Sequence, residues 1–183
     1  MAEIIQFSGI AKKQGRSRSL TDFLREALNK IEEMPLLQNC FVTDRAKFKR
    51  LMEARIMRGI IQKREISTAS FLCGLYSAEV LTKFLRTVEE DLGRISQLEG
   101  FAKTGNPYFY QTAGDHLFYI CAVFPENADR LRRQLKLQDY HQMGARCYYT
   151  FYDLTGVEIG YHMSRQFTQM TGIIRQYVIN PKK

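Results

Sequence analysis

Apolar residues recur along this chain at the spacing of helical faces. Leu20, Phe23, Leu24, Ala27, Leu28 and Ile31 follow the i, i+3, i+4, i+7 pattern, which predicts a helix over about 20–33. Ser19 precedes it with Asp22 three residues on, in the manner of a capping box, and Pro35 ends it. A second helix begins after Thr43 or Asp44, with Phe48, Leu51, Met52, Ile56 and Ile60 on its apolar side. Gly59 weakens that helix late, by roughly 1 kcal/mol against alanine. A third begins near Ser67, carries Phe71, Leu72, Leu75, Val80, Leu81, Phe84, Leu85 and Val88, and runs to about Thr87 or beyond. Ile95, Leu98 and Phe101 form a short amphipathic turn.

The run Lys103-Thr104-Gly105-Asn106-Pro107 is strong punctuation. A fourth long helix is expected over about 108–123. It is almost wholly apolar from Leu117 to Phe124, the mark of a centrally buried helix. Pro125 terminates it, and residues 126–137, polar with Arg130, Arg132, Arg133 and Lys136, form an exposed connector or a short helix. Two more helices are expected over about 138–153 and 157–178, separated at Thr155-Gly156. No segment alternates with period two over a strand length except Arg55–Ile61. The pattern therefore predicts an all-α protein: a single-domain helical bundle of five to seven helices over 19–179, with a flexible basic arm at 1–18 and a tail at 180–183.

Composition narrows the class. A chain of 183 residues with 45% hydrophobic and 25% charged residues reads as globular, and no apolar run approaches the ~18 residues of a membrane span. The four cysteines, Cys40, Cys73, Cys121 and Cys147, form no CxxC pair, and the last three sit in apolar context. They read as buried free thiols, and with no secretory signal at the start the expected compartment is the cytoplasm. Net charge is +8, with +6 in residues 1–70, −2 in 71–125 and +4 in 126–183. Such an excess favours acidic partners and is equally common on a solvated surface.

At Gly114-Asp115-His116-Leu117-Phe118, then Phe124-Pro125-Glu126, then Asp139-Tyr140-x-x-Met143-Gly144, the chain resembles an uncharacterised family of bacterial helical proteins. In that family the third motif opens on Tyr-Tyr and closes on a tyrosine at the position of Tyr148, and an alanine stands where Cys147 is here. The resemblance covers about residues 114–149. It implies a helical fold and a bacterial origin, and it brings no activity with it.

Candidate chemistry is sparse. Walker and GxGxxG loops, a serine-nucleophile elbow, His-Glu-x-x-His and Glu-x-x-His are all missing from the sequence. No catalytic residue, metal ligand set or cofactor is assigned, and an enzyme is not the favoured reading. Asp115, placed in the first turns of its helix, suits the N-terminal dipole. Asp115, His116, His141, Glu158 and His162 would converge only if the last three helices face one another suitably; Glu158 and His162, four apart, otherwise read as a surface pair. Tyr140 and Tyr148 share a face with Met143 and Cys147, either a packing face or a ligand-contacting one, and Gly144 between them suggests a close helix–helix approach. A ligand site would thus draw on Asp115, His116, Tyr140, His141, Tyr148 and His162. Arg146 beside Cys147 makes that thiol the best of four poor nucleophiles.

Two asymmetries remain. Arg45, Lys47, Lys49, Arg50, Arg55, Arg58, Lys63 and Arg64 fall within twenty residues, with Lys47, Arg50, Ala54 and Arg58 on one stripe. That stripe is either a solvated face or a nucleic-acid contact made by Arg45, Lys47, Lys49, Arg50, Arg58, Lys63 and Arg64. Of 22 Phe and Tyr residues, 15 lie in 101–183. Consecutive rings point in several directions on a helix, so some must line a cleft or a partner surface. The favoured function is a non-enzymatic interaction or regulatory module that contacts itself or another protein through this aromatic half. The alternatives are the nucleic-acid binder and a small-ligand or metal-binding bundle.

Overall fold

The structure is a computed structural model that describes residues 44–84, 106–126 and 136–180. Among these residues there are five α-helices and no strand, so the all-α reading holds and Arg55–Ile61 is helical. The helix expected over 20–33, the arm at 1–18 and the turn at 95–101 lie outside the described residues.

Local sequence sets each start. Helix α1 is Arg45–Gln62, and the Asp44 carboxylate caps it by accepting from the Ala46 and Lys47 backbone N–H groups. Helix α2, Thr68–Lys83, is capped by the Ser67 hydroxyl, which accepts from the Ser70 N–H. In α3, Pro107–Val123, Asn106 caps and Pro107 occupies the first turn, where its missing N–H is not needed. Helix α4 is Leu137–Thr155; the Asp139 carboxylate reaches back to the Lys136 N–H at 2.7 Å. Gly156, at φ 71°, ends α4 in the left-handed region and turns the chain into α5, Glu158–Ile174. The last helix is shorter than its apolar pattern suggested. From Arg175 to Ile179 it widens into a π turn, in which the Asn180 N–H donates to the Arg175 carbonyl.

Side chains from all five helices join one core. Helix α5 touches each of the other four, and α3 against α4 is the most extensive pairing. The apolar run of α3 is buried from Leu117 to Ala122. Phe167 of α5 stands edge-on to Phe118 at 5.4 Å and lies against Tyr148 at 6.0 Å. It lies so close to α4 that a β-carbon on Gly144 would sit 2.3 Å from the Phe167 ring. Gly144 is thus the close approach its sequence position suggested. Gly59 does the same in α1, beneath Ile173 and Tyr177.

Candidate functional site

The most connected polar group in the core is Asp115. It is 4% exposed and lies more than two turns into α3, so the expected dipole role at the helix start is corrected: its charge is met by side chains. Oδ1 accepts from the Tyr76 hydroxyl at 2.7 Å and the Tyr148 hydroxyl at 2.8 Å, and Oδ2 from Lys83 Nζ at 3.1 Å. Gln111 Nε2 donates to the Tyr76 oxygen at 2.9 Å. The two phenol rings meet edge to face at 6.0 Å. Burial, and then the adjacent Asp115 charge, push both phenols above their ordinary range, so both stay protonated donors. The Gly114-Asp115 motif and the Tyr148 end of the third motif are therefore in contact. Gly114 permits it, since a β-carbon there would lie 3.1 Å from the Tyr148 ring.

This cluster joins α2, α3 and α4. It is a neutralised, hydrogen-bonded knot, with Asp115 engaged at both oxygens and each phenol donating inward. Chemically it fixes three helices. Tyr76, Lys83 and Gln111 were not among the residues the sequence singled out. Tyr76 and Lys83 stand 39 and 32 residues from Asp115, and no local spacing links them.

The three histidines have separate surroundings. His116 Nδ1 lies 3.0 Å from the Thr112 carbonyl oxygen and donates to it, and the ring tilts against Phe84 at 4.6 Å. Burial, the larger effect, and the Lys83 charge hold His116 below its ordinary value. His141 packs edge-on to Phe167 at 5.7 Å; its Nε2 is buried without a partner, and burial, then Arg175, lowers it too. His162 lies against Tyr161 at 5.7 Å. Glu158 and His162 form no ion pair. Among the described residues no three His, Cys, Asp or Glu side chains gather as a metal would require. Tyr140 and Tyr148 are both sealed in the core, Tyr140 with its hydroxyl unpartnered. Their shared stripe packs the protein's own interior. Burial pushes the thiols of Cys73 and Cys121 up to about 12 and that of Cys147 to about 11, with Arg146 offsetting only part of the last. None is poised as a thiolate.

The basic helix α1 is tied down in several places. Lys49 pairs with Glu79 of α2, Arg45 Nη2 approaches the same carboxylate at 4.0 Å, and Lys47 pairs with Asp44 at 3.2 Å. Ala54 is buried, so the row through Lys47, Arg50, Ala54 and Arg58 is not the continuous solvated face the sequence suggested. Arg50, Lys63 and Arg64 are exposed; Arg50 and Lys63 are 13 positions apart, about 20 Å along the helix.

The α4–α5 hairpin carries two of the three exposed tyrosine rings among the described residues. Tyr149 and Tyr161 are 51% and 41% exposed. Tyr152, half-buried between them, has its ring 6.3 Å from that of Tyr149 and 5.4 Å from that of Tyr161. Leu154 and Val157 are exposed at the tip, and Tyr108 of α3 is exposed with its ring 5.8 Å from Phe151. The outer side of the hairpin is thus a continuous tyrosine ridge with an apolar tip. Among the described residues no helix is long and apolar enough to cross a membrane. No family model, curated protein or solved structure matches the chain.

Proposed function

We propose that this protein is a non-enzymatic interaction module that associates with a second copy of itself through the aromatic ridge of the α4–α5 hairpin. The ridge Tyr149–Tyr152–Tyr161, flanked by Leu154 and Val157, carries this reading. Tyrosine offers a large, rigid contact area with little side-chain entropy to lose and a hydroxyl that tolerates water, as an associating surface needs. Asp115 is engaged at both oxygens, the thiols of Cys73, Cys121 and Cys147 are held protonated, and the described residues gather no metal ligands, which favours a surface role over chemistry in the core. Arg45, Lys47 and Lys49 each face a carboxylate of Asp44 or Glu79, and the buried Ala54 interrupts the row from Arg50 to Arg58, which favours the self-association reading over the nucleic-acid alternative.

Light scattering on the size-exclusion eluate of the full chain, over a concentration series, tests the reading. The expected result is a dimer that dissociates on dilution. Tyr149→Ser with Tyr161→Ser should weaken it by about 10-fold or more, as loss of central tyrosines does at interfaces, with an unchanged circular-dichroism spectrum. A wild-type chain that stays monomeric at the highest concentration overturns it.

A further inference from the structure

The charges beside the tyrosine ridge have a regular order. On α4 the exposed stripe running away from the hairpin tip is Asp153, Tyr149, Arg146; on α5 it is Glu158, Tyr161, Arg165. Both helices therefore present acid, ring, base. The acid and the base are seven residues apart on each helix, about 10.5 Å, with the tyrosine between them. All six side chains are on exposed positions, and the two tyrosines are joined through the Tyr152 ring. Among the described residues none of these four charges has an ion-pair partner.

Resting on the self-association above, we infer that two copies pair about a two-fold axis that crosses the ridge at Tyr149 and Tyr161, tip against base. Asp153 then faces the partner copy's arginine at position 146, and Glu158 faces the one at 165, with α4 on α4 and α5 on α5. The two-fold repeats each contact, so one self-complementary patch supplies four ion pairs around a tyrosine centre. The other two-fold arrangement, tip on tip with α4 over α5, sets Asp153 on Glu158 and Arg146 on Arg165. Like charges face to face across an interface are costly, so the same pattern that favours one register disfavours the other. Exposed charges of this kind are screened by salt, and the dimer weakens as ionic strength rises.

The test uses exposed positions of the full chain, with folding verified by circular dichroism. Asp153→Arg with Glu158→Arg, and separately Arg146→Glu with Arg165→Glu, should each weaken the homodimer by about 30-fold or more. An equimolar mixture of the two should restore dimer at the wild-type concentration. The register is read by cross-linking in a Cys40→Ser background. A mixture of Arg146→Cys and Asp153→Cys chains should form a disulfide-linked dimer under mild oxidation, whereas Asp153→Cys mixed with Glu158→Cys should not. If the wild type dimerises but the charge reversals leave its Kd within about twofold, or positions 153 and 158 cross-link instead, this register is overturned while the self-association stands. If the wild type is monomeric, the underlying reading is what fails.

Discussion

Asp115 illustrates how a buried charge is made tolerable. A carboxylate in a low-dielectric core must be paired and hydrogen-bonded, and here two phenols share one oxygen while Lys83 takes the other from the rim. Sharing makes the phenols interdependent. Tyr148→Phe alone should cost about 1–2 kcal/mol in urea denaturation, since Tyr76 still satisfies Oδ1. Adding Tyr76→Phe leaves that oxygen without a phenol donor, so the double variant should lose more than the two singles combined, by about 0.5–3 kcal/mol. Strict additivity would show that the phenols act independently. The sequence singled out Asp115 as a candidate ligand residue and as a charge for the helix dipole, and the second of these roles is the one its depth in α3 corrects. Its partners were not legible there, because the donors come from helices whose relative placement no local pattern encodes.

At the scale of the helix, two glycines of similar sequence appearance have opposite roles. Gly144 in α4 lies against Phe167, a core residue whose ring is also held by Phe118 and Tyr148. A methyl group at Gly144 would force that ring to move. The overpacking, about 1–3 kcal/mol, should outweigh the roughly 1 kcal/mol that alanine contributes to a helix. Gly172 in α5 is exposed, with nothing within 4 Å of an added β-carbon. Gly172→Ala should therefore stabilise the protein by about 0.5–1 kcal/mol, mostly by removing unfolded-state freedom. Chemical denaturation of both variants checks the pair, and the same sign of change for both would refute the distinction. Helix positions were readable from periodicity and caps: Ser67 and Asp44 cap where expected, and α4 starts and stops within about two residues of its apolar pattern. The π turn at Arg175–Ile179 was not readable, since its apolar spacing continues that of a helix.

Across the whole molecule, His116 on α3 and His141 on α4 set a pH dependence. Burial keeps both below the ordinary imidazole value of 6.5. The folded chain then binds fewer protons than the unfolded chain just below that value. Their contribution to stability is fully present above pH 6.5 and is lost as pH falls through the lower folded-state values. The urea midpoint should therefore hold between pH 8 and 7 and drop between about pH 6.5 and 5.5, where unpaired carboxylates contribute little. His116→Asn with His141→Gln should flatten that drop, and a wild-type midpoint that is level across the range would exclude the effect.

What the chain determines by itself is local: helix periodicity, caps, the break at Gly156 and an excess of rings in its second half, because each depends on neighbours a few positions apart. The order acid, tyrosine, base was written there too, as Arg146-x-x-Tyr149-x-x-x-Asp153 and Glu158-x-x-Tyr161-x-x-x-Arg165. Only the tertiary structure decided which rings face inward and which form the ridge, that Asp115 is met by Tyr76, Tyr148 and Lys83, and that the cations at the start of α1 are answered by Glu79 as well as Asp44. The physical reason is that burial and pairing are properties of packed faces. Which faces meet is fixed by the collective fit of helices far apart in sequence, with Phe167 seated on Gly144 as one of its closest contacts.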